Sequence, residues 1–283
     1  MVEPTSKAGV TNVGSKPSSL KAPFYTIKDM FSNKFLIKNL VSREIRGKYR
    51  NAMLSYTWTF LEPALLAVVY YFLFYMLAGN PDELYSVWVL VGIIVWGCFG
   101  KSLSSTVTSL TRNRNTIHLV YFPRIIFPIT SVIGNIVITM MSCLVIIPIM
   151  IIFDLPLTIY ILLVPLSVLL AGFLAIGLGI LLAPLNCMYR DVEHLIRFVV
   201  RAGFFVSPVM WTYEMALERG SFGEIATYNP MLTPITLARH GLEGRETTLP
   251  SEIIIFTILF GIVMWIIGSI LFERNERKAV KYL

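Results

Sequence analysis

The side chains able to do chemistry are few and scattered. Gly100-Lys101-Ser102 ends in the manner of a phosphate-binding P-loop, but that motif needs a glycine five residues before Gly100. Val95 stands there, inside an apolar run. No paired carboxylates, no Ser/His/Asp arrangement and no HExxH occur, so neither hydrolytic nor metal-assisted chemistry is indicated. Cys98, Cys143 and Cys187 lie far apart, in or at the ends of apolar runs, and read as small packing residues. Within the apolar runs proper only Glu62 and Lys101 are ionisable, with Arg197 and Arg201 at the start of the fifth run. A proton- or sodium-coupled carrier usually keeps charged groups at mid-membrane for its ions. A carrier with this pattern would have to import its energy from a partner.

The elements that must position these groups are membrane-embedded. The chain is 55% hydrophobic and only 14% charged, with a mean hydropathy of +0.70, which leaves too little polar surface for a soluble protein of 283 residues. Residues 1–27 are rich in Ser, Pro, Gly and Lys and read as a disordered tail. No signal peptide is expected ahead of the first span. A basic amphipathic segment follows over 28–50. On a helical wheel Leu36, Ile37, Leu40, Val41 and Ile45 share one arc, with Lys38, Asn39, Ser42, Arg43 and Arg46 opposite; only Glu44 falls on the apolar side. An ordinary amphipathic helix of a soluble domain would show the same wheel. The 27-residue apolar run from Ala52 to Ala78 directly behind it favours a surface helix turning into a spanning one.

Six spans are expected, at about 52–78, 84–110, 125–153, 157–183, 196–213 and 251–272. Only Asp154, Leu155 and Pro156 separate the third from the fourth, a tight hairpin. Gly172, Gly177 and Gly179 in the fourth allow close helix approach. Residues 214–250 are too long for a turn and too apolar for a free linker, and read as short re-entrant or interfacial helices broken at Pro230, Pro234 and Pro250. The predicted fold is therefore all-α, with both termini on one side and a short C-terminus at 276–283. Of 24 basic residues, Arg219, Arg239 and Arg245 sit in that long loop and Lys101 in a span, leaving 20 on the side of the termini. The positive-inside rule makes that side cytoplasmic. The same rule accounts for a sequence pI near 9.3 without nucleic acid, because the positive charge lies beside apolar spans at anionic lipid.

Several local strings then resemble a known family. Arg43-Glu44-Ile45-Arg46-Gly47-Lys48-Tyr49-Arg50, followed by Leu54, Trp58 and Leu61-Glu62-Pro63, resembles the start of ABC-2 type permeases that export polysaccharides, the O-antigen, teichoic acid and capsule transporters of prokaryotic inner membranes. Tyr121-Phe122-Pro123-Arg124 with Pro128, Tyr189-Arg190-Asp191-Val192 with Ser207-Pro208-Val209, and Asn229-Pro230 are similar to later landmarks of that family. The resemblance covers about residues 28–275. It implies a homodimer bound by two copies of a separate ATP-binding subunit, which would hold ATP and Mg, and a channel for lipid-linked glycan at the permease interface. The surface helix would be the gate helix, with Ile37, Val41, Arg43, Ile45, Arg46 and Tyr49. The loop 113–122 would contain the coupling helix, with Asn113, Arg114, Thr116, Ile117, Tyr121, Phe122 and Arg124. Without the resemblance these read equally as a solvated loop with topogenic charges. Arg190 and Asp191 suit either a local ion pair capping a helix or a coupling role.

Aromatics are the remaining hint about cargo. Tyr70, Tyr71, Phe74 and Tyr75 in the first span are candidate channel-lining residues, since an aromatic face packs on the C–H face of a sugar; belts and lipid contact explain single aromatics as well. The function expected is export of lipid-linked polysaccharide. The alternatives are ABC-2 export of a drug, lipid or peptide, and an intramembrane transferase, which the lack of clustered carboxylates or His argues against.

Overall fold

A computed structural model describes residues 21–49, 57–78, 84–119 and 122–283. The described residues are helical, without strands. Two helices come first, α1 (Ala22–Ser32) and α2 (Lys34–Tyr49), then α3 (Thr57–Ala78) and α4 (Tyr85–Val107). Short α5 (Ser109–Arg112) and α6 (Arg114–Leu119) lead to α7 (Ile126–Ser142), α8 (Ile146–Ile152) and α9 (Leu163–Met188). The chain closes with α10 (Asp191–Val206), α11 (Tyr213–Leu217), α12 (Gly220–Thr227), α13 (Leu232–Glu243) and α14 (Ser251–Lys281).

Among the described residues, four stretches are long and apolar enough to cross a membrane: Tyr85–Val107, Ile126–Ile152, Ile159–Met188 and Ser251–Lys281. This is a multi-pass membrane protein. The first expected span is the 22-residue α3, whose only ionisable group is Glu62. The third expected span, 125–153, is interrupted by a 3-10 turn over Cys143–Val145, and α8 restarts two residues before Pro148. Pro128, Pro148 and Pro165 all fall in the first turn of a helix, where the missing N–H had no partner to lose. Asp154 makes the hairpin into α9 by taking a left-handed backbone, φ 51°, which Asp tolerates better than most side chains.

Three boundaries differ from the expectations. Helix α1 begins at Ala22, inside the stretch read as tail, because Ala22 and Thr26 bury against α14. The surface segment 28–50 is two helices, split at Asn33. The fifth run is helical only over Asp191–Val206, starting before residue 196 and stopping short of 213, because Ser207 is extended and precedes Pro208.

The centre is a stack of α4, α9 and α14. Gly177 and Gly268 let α9 and α14 touch backbone to backbone, since a Cβ on Gly268 would lie 2.6 Å from the Gly177 carbonyl oxygen. Gly179 accepts Thr106 of α4 as closely, at 2.4 Å from a hypothetical Cβ. Such small-residue crossings supply the van der Waals contact that drives helix association in lipid. Apolar side chains fill two clusters. One joins α4, α9 and α13; the other, at the end carrying both described termini, joins α2, α5, α6, α7, α9 and the end of α14. Helix α13 is buried along nearly its whole length and ends at Gly244, φ 71°. Thr233 and Thr257 share a 2.8 Å hydroxyl bond that ties it to α14.

Candidate functional site

A cavity of about 700 Å³ opens between α3, α4, α7 and α10, and the end of α2 forms its floor. Trp58, Trp96, Phe204 and Ile94 supply aromatic and apolar lining. The floor is polar. Lys48 of α2 donates to Asn135 Oδ1 at 2.6 Å, and Asn135 Nδ2 donates to Ser105 Oγ at 2.7 Å. Burial holds the Lys48 ammonium below the usual lysine range. Arg197 lines the same cavity from α10 and pairs with Glu193, one turn earlier, at 3.4 Å.

The two ionisable groups of the spans meet in this wall. Lys101 Nζ donates to Glu62 Oε2 at 2.9 Å, joining α3 to α4, and the side chains remain 57% and 53% exposed. A charged pair on spanning helices is costly against lipid, so a half-exposed one must face water or protein. The aromatics Trp58, Trp96 and Phe204 share the face with it. Of the four expected lining residues, Tyr75 is 45% exposed on α3. The side chains of Tyr70, Tyr71 and Phe74 lie outside the described residues.

Below the floor, α2 is bolted to the loop after α4. Ile37, Leu40 and Val41 bury against α7, Ile45 packs beside them, and Arg46 is exposed. The side chain of Tyr49 lies outside the described residues. Arg43 donates to Asn113 Oδ1 at 3.0 Å, and Arg112 donates to Glu44 Oε1 at 3.2 Å. Glu44, the misfit of the wheel, is thus a partner for Arg112, and Gly134 leaves room beside it. That misfit was the readable signal for the contact.

The expected coupling residues divide. Arg114 is exposed and Thr116 partly so. Ile117, expected as an apolar anchor for a partner, is only 8% exposed and sits in the chain's own core, because α6 folds back onto that cluster. Leu119 is the exposed apolar group of this helix, at 82%. Tyr121 lies outside the described residues. Phe122 packs on Phe127, and Arg124 donates to Glu276 of α14 at 2.9 Å. Arg190 and Asp191 are exposed at the start of α10, where the ion pair among the described residues is Glu193–Arg197.

One residue that the sequence presented only as a loop charge has a structural role. Arg239 of α13 is 4% exposed and donates to three main-chain carbonyls: Val209 at 2.8 Å, Trp211 at 2.9 Å and Trp88 at 3.4 Å. Residues 207–212 are the irregular backbone that follows α10, packed against Gly92 of α4. Non-helical backbone at membrane depth is tolerated where it is buried in protein or lines a water-filled cavity; here Arg239 supplies donors to Val209 and Trp211, and the Tyr85 hydroxyl donates to the Met210 carbonyl at 3.0 Å.

Comparison with known proteins adds independent evidence. The model of a family described as ABC-2 type transporter matches residues 36–242. The chain is 25% identical over 253 residues to the O-antigen export system permease protein RfbA of Klebsiella pneumoniae, a match spanning 88% of this chain and 95% of that protein. It is 23% identical over 257 residues to the protein of the same name from Myxococcus xanthus, over 89% and 97% of the two chains.

Proposed function

This chain belongs to the ABC-2 type transporter family, and from that premise we propose that it is the permease subunit of an ATP-driven exporter of lipid-linked polysaccharide in a prokaryotic plasma membrane. The working unit is a homodimer of six-span subunits with two ATP-binding partners, and both termini face the cytoplasm. ATP and Mg are held by the partner. The relatives named for O-antigen export support a glycan cargo, of the O-antigen or teichoic acid kind.

The observation that carries a transport path is the half-exposed Glu62–Lys101 pair beside Trp58, Trp96 and Phe204. It gives spanning helices a face unfit for lipid, with groups that suit a hydrated sugar chain: aromatic faces for C–H surfaces, and ammonium and hydroxyl groups for sugar oxygens. A second copy of the chain opposing this face closes a path between them. The ladder Arg43–Asn113 and Glu44–Arg112 supports the coupling role of the adjoining loop. Movement of that loop by an ATPase reaches α2 directly, and α2 carries Lys48 at the cavity floor.

The test is co-purification with an ATP-binding subunit, followed by reconstitution with lipid-linked glycan loaded on one side. ATP-dependent appearance of glycan on the other side is expected. Turnover stimulated by a drug, free lipid or peptide and unmoved by glycan would replace the reading with the other ABC-2 cargo class.

A further inference from the structure

A second, smaller cleft of about 150 Å³ lies between α1, the residues just before α7 and the C-terminal part of α14. Asp29 lines it from α1, Arg124 from the α7 side, and Ser269, Glu273 and Glu276 from α14. The last three recur at steps of four and three residues, so they share one face of α14. Three carboxylates thus meet a single guanidinium. Arg124 answers Glu276 at 2.9 Å, which leaves the lining with a surplus of negative charge. Two acceptors of this wall are buried with no hydrogen-bond partner among the described residues. Ser269 is 1% exposed and its Oγ is unbonded, and Glu273 Oε2, one turn on, is enclosed and unbonded as well. Folded proteins rarely bury such atoms unless something bonds them.

The unbonded pair calls for a donor, and the surplus charge for a cation. Among the described residues no group of acids, histidines and cysteines is disposed to hold a metal ion, so a hydrogen-bonding organic cation is the better fit. The depth of the cleft narrows the choice. At this point α14 passes from the apolar run ending at Phe272 to Glu273, Arg274, Glu276, Arg277 and Lys278, a change that a spanning helix makes at the lipid headgroups. On the apolar side of the cleft, Ile262 and Ile266 continue the Ser269–Glu273 face and are 41% and 40% exposed. A headgroup seated in the cleft therefore has an apolar track for its acyl chains.

We propose that this cleft is a binding site for the headgroup of a phospholipid with a primary amine, of the phosphatidylethanolamine class, whose ammonium donates to Glu273 Oε2 and Ser269 Oγ. The headgroup is a zwitterion, and the cleft offers both signs. Arg124 uses one N–H on Glu276 and carries five, so it also reaches the lipid phosphate. A primary ammonium has three N–H donors for the buried acceptors. The trimethylammonium of phosphatidylcholine has the same charge and none, and phosphatidylglycerol brings a net negative charge to an acidic wall. The bound lipid joins α1 to α14, and so holds the lead into α2 against the last spanning helix.

The experiment is native mass spectrometry of the full chain in detergent, offered equimolar phosphatidylethanolamine, phosphatidylcholine and phosphatidylglycerol with identical acyl chains. The wild-type chain should retain one phosphatidylethanolamine per subunit in preference to either competitor by about tenfold, the weight of one charge-assisted hydrogen bond. Glu273→Gln and Ser269→Ala should each cut that preference several-fold with the lipid-free melting temperature unchanged, because neither atom has a protein partner to lose. Glu252→Gln, at the far end of α14, should keep it. Equal retention of the three lipids by the wild-type chain overturns the proposal without recourse to any variant. A preference that survives Glu273→Gln overturns it too, since the amine would then be read elsewhere. Displacement of the bound lipid by millimolar glycerophosphoethanolamine as readily as by the lipid itself would make the ligand a free amine and refute the lipid assignment.

Discussion

Replacing Arg239 separates two explanations of a buried cation: charge as such, or the planar fork that reaches several carbonyls at once. The bonds to Val209 and Trp211, at 2.8 and 2.9 Å, are the strong ones, and that to Trp88 at 3.4 Å adds little. Arg239→Met strands two carbonyls of a segment that cannot turn helical, at about 1–3 kcal/mol each. Against this, the variant is spared the cost of burying a cation. Hydrogen bonds from a charged donor still net about 1.5–3 kcal/mol each once water is exchanged, so a clear fall in stability is expected. Arg239→Lys keeps the desolvation cost but has one nitrogen, which cannot reach Val209, Trp211 and Trp88 together. Lys should therefore be no better than Met. Thermal denaturation in detergent ranks the variants, and amide exchange over 207–212 shows whether the damage is local. Arg245→Gln is the control; its pair with Glu243 is half-exposed on the arginine side and worth about 1 kcal/mol or less. A Lys variant as stable as wild type, with 207–212 still protected, would refute the fork argument.

Glu62→Gln and Lys101→Met should each insert normally and lose export, because a half-exposed pair in a hydrated path contributes about 0–1 kcal/mol to stability. If the face met lipid, the orphaned charge would cost about 2.5–3.5 kcal/mol at mid-span and insertion would fail; quantitative membrane fractionation decides. Gly268→Val should prevent assembly of α9 on α14, while Gly97→Ala, where a Cβ meets nothing within 4 Å, should be silent in the same detergent melt. Leu119→Asp should abolish association with an ATP-binding subunit and leave insertion intact, whereas Arg43→Ala should preserve association and depress export. Retention of both association and export by Leu119→Asp would remove α6 from the coupling interface.

The apolar runs and the glycines of the fourth run were legible because lipid imposes long helices and close crossings whatever the partners are. Glu44 was legible as an anomaly: a carboxylate on an apolar arc needs a cation, and Arg112 supplies it. The limits came where one half of an interaction is main chain. Ser207-Pro208 announced a break in the fifth run, but the apolar residues beyond it carried the span reading on to Tyr213. Arg239 stood in the long loop before the last span and read as one more loop charge. Neither signal is decisive alone, since prolines break helices at many surfaces and arginines line many loops. Together they are constrained, because carbonyls freed at membrane depth need donors and a buried guanidinium needs acceptors.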